Sequence, residues 1–334
     1  MKTIERGKVH VLQHSSKVLR GNALGDPADR DLYCYLPPGY ETSTDMYPVI
    51  YWLSGFTGSG RMMFNFDPWA EAIDRRLDRL ISTGAMPPAI CVLPDCFTRL
   101  GGSQYADSTA TGNYETYIVS ELVPFVDAQL RTKASREHRG VTGKSSGGYG
   151  AMRLSMRHPD VFSAMGSHAG DVYFAYCYLP DFVKFTIGIE KAGGVEQFVR
   201  DFDALPKKTN EAMEVLNILA MAACYSPNPS APLGIDLPVT LPSGEIRADV
   251  WKRWEANDPV HMAREHAAAL RSLKKIYLDA GVRDEFNLHI GARIFTTRLQ
   301  ELGISYIYEE FDDTHMGIVY RYDRSFTELA KVLA

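Results

Sequence analysis

A serine in a glycine-rich turn is the residue of this chain best placed to do chemistry. Ser145 lies between Gly143 and Gly147 in the pattern Gly-x-Ser-x-Gly, and Gly148 follows. An apolar run precedes the turn and a helical pattern follows it, which is the context of a nucleophilic serine on a strained strand-to-helix turn with small flanking residues. A glycine-rich turn without chemistry is the alternative. We predict that Ser145 is the nucleophile and that the adjacent hydroxyl, Ser146, is not.

A serine hydroxyl is a poor nucleophile at neutral pH, so it needs a base and an acid to orient that base. In proteins with this turn the acid and then the histidine follow the serine along the chain. Only His289 and His315 lie beyond the apolar run 275–278. His289 opens a predicted helix, whereas His315 lies in a loop after the predicted strand 305–311, where ligand sites gather. We predict His315 as the base; the alternative is a loop histidine without a catalytic role.

The acid is expected in the loop that follows the run 275–278. That loop contains Asp279, Asp284 and Glu285. Asp279 lies nearest the strand and suits a structural role, whereas Asp284 lies beyond Gly281 and is far enough along the loop to reach the base. We predict Asp284 as the acid, with Glu285 as its rival.

Two backbone N–H groups must stabilise the oxyanion of the tetrahedral intermediate. One is expected from Ser146, the residue after the nucleophile. The other is expected from the loop after the apolar run 47–53, where Gly55 and Gly58 permit close backbone approach. We predict Phe56 as this second donor.

Short apolar runs that alternate with helical patterns predict a mostly parallel sheet covered on both faces. The predicted strands are 47–53, 89–93, 140–142, 162–166, 275–278 and 305–311, preceded by an antiparallel edge strand over 31–36. The predicted helices are one carrying Trp69, Ile73, Leu77 and Leu80, a helix over 114–130 that Pro124 kinks or splits, and helices over 149–158, 289–302 and 322–333.

The alternation stops between residues 171 and 259, where aromatic and helical segments precede a proline-rich stretch. We predict a catalytic domain formed by 1–170 and 260–334, with 171–259 inserted as a cap. The insertion contains a predicted buried helix over 210–224 and a predicted hairpin around 242–244.

Aromatic residues open this insertion directly after the predicted strand 162–166. The run comprises Tyr173, Phe174, Tyr176, Tyr178, Phe182 and Phe185. Such a run is more often core than binding wall, but its position at the catalytic edge favours a pocket. We predict a substrate pocket lined by His168, Tyr173, Phe174 and Tyr176; an ordinary hydrogen-bonded histidine is the alternative for His168.

Composition narrows the classes of partner. Hydrophobic residues make up 45% of the 334 residues, and the net charge is −5 without a strongly basic stripe, which argues against nucleic acid. No apolar run is long enough to span a membrane, and the first residues lack a secretory signal, so we expect a cytoplasmic protein. Five scattered cysteines predict reduced core thiols. No cluster has metal-ligand spacing, so neither a metal nor an organic cofactor is expected, and a homo-oligomer is compatible with the sequence.

At these residues the sequence resembles the esterase D family of α/β-hydrolases, which includes S-formylglutathione hydrolases, feruloyl and enterochelin esterases and mycolyltransferases. The matching segments are 36–40, 51–57, 143–150, 281–284 and 314–315. The resemblance implies the α/β-hydrolase fold and places the family's nucleophile, acid, base and oxyanion positions on Ser145, Asp284, His315, Phe56 and Ser146. S-formylglutathione hydrolases differ in carrying Cys at the position of Gly58 and usually His at that of Lys144.

Together the residues and the resemblance predict a serine carboxylesterase for small carboxylic esters, including aryl or hydroxycinnamoyl esters. An acyltransferase using the same triad and an S-formylglutathione-type thioesterase are the alternatives within the fold. A non-catalytic binding protein on the same scaffold is the alternative outside enzyme chemistry, and it is disfavoured because all three triad members are present.

Overall fold

An eight-stranded sheet runs through the computed structural model, which describes residues 5–334. The strands are β1 Lys8–Ser15, β2 Asp29–Leu36, β3 Val49–Leu53, β4 Ile90–Leu93, β5 Arg139–Lys144, β6 Ala164–His168, β7 Lys275–Gly281 and β8 Ile307–Phe311. Their order is β1-β2-β4-β3-β5-β6-β7-β8, and β2 is antiparallel to both neighbours while the other pairs are parallel. All six predicted central strands are confirmed, with ends shifted by up to three residues.

The strand predicted at the sheet edge is internal, so that prediction was wrong. β2 pairs on its outer side with β1, which spans eight residues and was not predicted. Residues of β1 alternate between exposed and half-buried positions and none is fully buried. Such a strand has a weak hydrophobic pattern, and its pairing with β2 is what defines it.

Eleven α-helices of five or more residues lie between or after the strands of the described chain. They are α1 Ile73–Ser82, α2 Val123–Gln129, α3 Ser146–Arg157, α4 Phe182–Ala192, α5 Val195–Ala204, α6 Asn210–Tyr225, α7 Ala248–Glu255, α8 Pro259–Glu265, α9 Ala267–Arg271, α10 Leu288–Glu301 and α11 Tyr322–Leu333. The predicted helices over 149–158, 289–302 and 322–333 correspond to α3, α10 and α11.

Two helix predictions need correction. Trp69 is 95% exposed and precedes α1, because the Asp67 carboxylate accepts the backbone N–H groups of Trp69 and Ala70 and forms a local turn there. The helix predicted over 114–130 is a helical turn, a π-helical stretch over Tyr117–Leu122, and α2. The wide turn precedes Pro124, which lacks the N–H that a regular helix would use.

Segment 171–259 carries α4 to α7 and packs an apolar cluster against the sheet region. Phe174, Phe185, Ile218 and Trp254 are buried in one cluster that also includes Ala280 from β7. α6 is apolar over most of its surface, as expected for a helix enclosed by others. The predicted hairpin is confirmed as Val239–Thr240 paired with Glu245–Ile246. The division into catalytic domain and cap stays a prediction.

The cysteines agree with a further expectation. All five cysteines are free and buried. Within residues 5–334, no helix is both long and apolar enough to cross a membrane.

The register of the parallel strands brings three chain segments to one edge. Lys144 at the end of β5 is the partner of His168 at the end of β6, which is in turn the partner of Asp279 in β7. Because carboxyl ends of parallel strands meet at the same edge, the loops after β3, β5, β6, β7 and β8 converge there. These loops carry Phe56, Ser145, Asp284 and His315, while His168 ends β6 and Ser146 begins α3 at the same edge.

Candidate active site

Ser145 lies on a strained turn at the carboxyl end of β5, one residue before α3 begins. Its φ of 58° and ψ of −128° are rare for any residue with a side chain. Gly143 and Gly147 permit this turn because a Cβ on Gly143 would lie 2.5 Å from the Leu53 carbonyl oxygen, and one on Gly147 would lie closer still. The turn therefore has the geometry that the glycine pattern predicted.

Ser145, His315 and Asp284 form one hydrogen-bonded row, which we call the outer row. His315 Nε2 lies 3.0 Å from Ser145 Oγ, and His315 Nδ1 lies 2.8 Å from Asp284 Oδ2. The side chains of His315 and Asp284 are buried. The other carboxylate oxygen of Asp284 accepts the backbone N–H of Phe286 at 2.9 Å, which fixes the carboxylate toward the imidazole. This arrangement can transfer the serine proton to the imidazole and stabilise the resulting imidazolium.

The rival residues have other partners. Glu285 Oε2 accepts the backbone N–H of His315 at 2.7 Å, so it holds the loop that carries the base and not its ring. His289 lies on α10, and its carbonyl oxygen accepts the Tyr308 hydroxyl at 3.2 Å. The structure thus brings Asp284 and His315 to Ser145 and leaves Glu285 and His289 outside the row.

Phe56 and Ser146 lie on the two segments expected to supply oxyanion donors. Ser146 is the first residue of α3, where backbone N–H groups lack intrahelical acceptors. The loop after β3 runs against the nucleophile, since a Cβ on Gly55 would lie 3.4 Å from Ser145 Cβ. The Phe56 ring packs so tightly on Gly101 that a Cβ there would lie 2.6 Å from it, which fixes this loop. Their role as oxyanion donors stays a prediction.

His168 does not line a pocket, so its assignment as a pocket residue was wrong. It is fully buried, with Nδ1 2.7 Å from Asp279 Oδ1 and Nε2 2.7 Å from Ser325 Oγ. We call Ser325, His168 and Asp279 the inner row. The backbone of His168 still supports the nucleophile turn, because the Ser145 N–H donates to the His168 carbonyl oxygen at 2.9 Å.

The inner row is part of a buried charge network under the sheet edge. Asp279 Oδ2 accepts the Tyr277 hydroxyl at 2.7 Å and Arg321 Nε at 2.9 Å. Arg321 also pairs with Glu309. Asp279 is therefore a structural residue by its contacts, in line with its position next to the strand.

The aromatic run divides into core and rim. Phe174 is fully buried among Tyr149, Tyr178 and Tyr225, so its assignment to a pocket wall was wrong. Its ring fills the contact between the insertion and α3, and no face of it is left for a ligand. Buried and exposed positions alternate along the short helical turn that contains Phe174, and this alternation decides which aromatic rings a ligand can reach.

Tyr173 and Tyr176 remain available at the surface. Tyr176 is 46% exposed, and its ring packs edge-on against Tyr173 with centroids 4.7 Å apart. Asn287 Nδ2 donates to the Tyr176 carbonyl oxygen at 3.4 Å, and the neighbouring Phe286 ring lies 4.9 Å from the His315 ring. An aromatic rim therefore adjoins the outer row.

One buried carboxyl next to the nucleophile was not predicted from the sequence. Asp171 Oδ2 accepts the Ser146 hydroxyl at 3.1 Å, Gln104 Nε2 at 3.0 Å and the Tyr178 hydroxyl at 2.9 Å. Burial raises the pKa of this carboxyl, and the three donors oppose that rise. No local pattern pointed to it, because two of its three partners, Gln104 and Ser146, are distant in sequence. Within residues 5–334 no group of three or more His, Cys, Asp or Glu residues has a metal-binding arrangement.

The chain matches one described family over most of its length. The family described as "Putative esterase" matches residues 23–316. Among curated proteins, Esterase Rv1288 of Mycobacterium tuberculosis is 33% identical over 137 residues, which is 40% of this chain and 28% of that protein. An endo-1,4-beta-xylanase/feruloyl esterase of Xylanibacter ruminicola is 28% identical over 143 residues, 42% of this chain and 19% of that protein. The matched segments thus span less than a third of these relatives.

Solved structures match the whole chain. A ferulic acid esterase superposes with a TM-score of 0.63 at 19% identity, covering 99% of this chain and all of that one. An S-formylglutathione hydrolase from Agrobacterium tumefaciens gives a TM-score of 0.60 at 17% identity, with 100% and 98% covered. At these identities the similarity shows the fold, which is the α/β-hydrolase fold.

Proposed function

Because the chain belongs to the family described as "Putative esterase", we propose that it is a serine carboxylesterase that forms an acyl-enzyme on Ser145. The observation that carries the proposal is the outer row, in which one imidazole bridges the Ser145 hydroxyl and the Asp284 carboxylate. The strained turn presents that hydroxyl beside two segments that can supply N–H groups. A row with these neighbours supports acyl transfer more directly than any other reaction.

In this mechanism Ser145 Oγ attacks the ester carbonyl carbon while His315 Nε2 takes the serine proton. Asp284 keeps the Nδ1 proton of the imidazole in place and stabilises the imidazolium. The backbone N–H groups of Phe56 and Ser146 stabilise the oxyanion. The imidazolium then protonates the departing alkoxide, which leaves the acyl group on Ser145. Water, deprotonated by His315, releases the carboxylic acid in the second half of the cycle.

The substrates we propose are small carboxylic esters, with aryl and hydroxycinnamoyl esters among them. The aromatic rim of Tyr173, Tyr176 and Phe286 supports this class, because offset or edge-on ring contacts add about 0.5–1.5 kcal/mol beyond area burial. We further propose that the insertion 171–259 acts as a cap that sets this preference, since its first residues carry two of the three rim rings.

A fluorophosphonate probe and a panel of esters test the proposal together. We expect one adduct per chain, mapped by peptide mass spectrometry to Ser145, and hydrolysis of 4-nitrophenyl acetate and methyl ferulate. Absence of both labelling and hydrolysis would refute the proposal. Ester products that appear only when an alcohol is added would reassign the acyl acceptor from water to the alcohol.

A further inference from the structure

The Asp171 side chain lies against the nucleophile turn, and the chain around it is tightly constrained. Gly170, just before it, is so close to α3 that a Cβ there would lie 2.8 Å from the Gly148 carbonyl carbon. Ala169 has a φ of 42°, a conformation rarely adopted by residues with a side chain. This strained connection after β6 holds the carboxyl where the loops of the active site converge.

The two oxygens of Asp171 differ. Oδ2 accepts three hydrogen bonds, from Ser146, Gln104 and Tyr178. Oδ1 accepts none from residues 5–334, although the side chain is only 7% exposed, and this atom is not sealed from solvent. Because Oδ1 is accessible and has no donor from the described chain, a hydrogen-bond donor of a bound molecule can reach it.

The charges around the carboxyl restrict which donor fits. Burial raises the pKa of Asp171, and the charge of the nearby His315 imidazole opposes that rise. Burial lowers the pKa of the nearby Lys144 ammonium, and the charge of Asp171 opposes that shift. In the described chain no carboxylate forms an ion pair with Lys144, and its Nζ lies 4.0 Å from Met316 Sδ. A further cation in this space would be repelled by Lys144, whereas a neutral hydroxyl would not.

We propose that Asp171 Oδ1 is a subsite that binds a hydroxyl group of the ester substrate. The proposal rests on the proposed carboxylesterase function and adds a substrate class to it: esters with a free hydroxyl close to the scissile bond, on the acyl or the alcohol side. Asp171 is a specificity residue in this reaction, because the hydroxyl that it binds takes no part in bond making. The bound hydroxyl donates to Oδ1 and orients the ester carbonyl toward Ser145.

Two matched pairs of esters test the subsite on the whole protein. The acyl-side pair is ethyl 3-hydroxybutyrate against ethyl butyrate, and the alcohol-side pair is 2-hydroxyethyl butyrate against propyl butyrate. We measure kcat/KM for each by titration of the released acid. A hydrogen bond to a charged acceptor predicts a preference of about tenfold or more for the hydroxylated member of one pair. The pair that shows this preference identifies whether the bound hydroxyl lies on the acyl or the alcohol side of the ester.

Variants then separate binding by Asp171 from its effect on Ser146. We expect the selectivity ratio to fall at least about threefold in Asp171→Asn and toward one in Asp171→Ala, because the charged acceptor is lost. Ser146→Ala removes the hydroxyl but keeps the backbone N–H, so the ratio should persist. Asp160→Asn, at an exposed position, is the matched control and should also keep the ratio.

The possible failures are distinguishable. If the wild-type protein hydrolyses none of the four esters and Ser145 is not labelled, the carboxylesterase function itself fails. Hydrolysis without a preference in either pair overturns the subsite alone, whether or not the variants fold. A loss of selectivity in Ser146→Ala equal to that in Asp171→Asn would also overturn it, since Asp171 would then act only by holding Ser146.

Discussion

Residues 5–334 contain the Ser–His–Asp series of hydrogen bonds twice, and the two rows differ in their surroundings more than in their distances. In the outer row the imidazole is 3.0 Å from the serine and 2.8 Å from the carboxylate. In the inner row both distances are 2.7 Å. Distances alone would favour the inner row, so hydrogen-bond length does not identify a nucleophile.

Backbone conformation and access separate the two serines. Ser145 lies at positive φ on a turn between β5 and α3, beside the loop after β3. Ser325 lies within α11 and is fully buried, so no ester can approach it. The acids differ as well. Asp279 forms an ion pair with Arg321, whereas Asp284 directs its charge at the imidazole of His315. Three residue types in a row therefore form a catalytic centre only where the fold also provides an approach for the substrate and oxyanion donors.

The largest expected contrast between the rows comes from removing each serine hydroxyl. Ser145→Ala should lower kcat by about 10⁵-fold or more, because no neighbouring group can form the acyl-enzyme. Ser325→Ala should keep fluorophosphonate labelling at Ser145 and most of the hydrolysis rate. Label on Ser325, or full activity in Ser145→Ala, would reverse the assignment of the two rows.

The next contrast comes from removing the charge of the acid in each row. Asp284→Asn should lower kcat by roughly 10³–10⁴-fold while the melting temperature changes little, since the acid orients the base. Asp279→Asn should instead destabilise the fold by about 3–5 kcal/mol, because Arg321 would lose a buried partner. Steady-state kinetics and thermal unfolding on the same samples check both.

Glu285→Gln is the control for Asp284, because Glu285 accepts the backbone N–H of His315 and, within the described chain, does not bond to its ring. A drop in kcat below tenfold is expected. If Glu285→Gln were more damaging than Asp284→Asn, the assignment of the acid would be wrong.

The contrast between buried and accessible side chains extends to the aromatic run. Phe174→Ala should reduce stability by about 3–5 kcal/mol, since it leaves a cavity among buried rings. The loss of activity should then be similar for every ester. Denaturant unfolding would measure the loss of stability. A selective loss on aryl esters at unchanged stability would return Phe174 to the pocket.

The smallest expected effect is on substrate preference at the rim. Tyr176→Ala should lower kcat/KM for an aryl ester relative to an acetate ester by about three- to tenfold, with little change in melting temperature, because the ring is half exposed. Equal changes for both esters would remove Tyr176 from the substrate contacts.

Local patterns in the sequence determined the central strands, the turn at Ser145 and the family. The resemblance drawn from the motifs agrees with the family match over residues 23–316. Strands buried on both faces read as apolar runs, and a strained turn requires small flanking residues, so both leave a signal within a few positions. The catalytic roles of Ser145, His315 and Asp284 stay predictions that this local signal and the geometry support together.

The tertiary structure decided what local patterns do not encode. β1 is a strand because β2 pairs with it, and His168 and Phe174 are core residues because Ser325, Asp279 and Tyr225 come from distant segments to enclose them. Asp284 and Glu285 are chemically alike and adjacent, yet only the path of the loop turns one toward the imidazole ring and the other toward the backbone. Burial and hydrogen-bond partners depend on segments far apart in the chain, and no spacing within one segment records them.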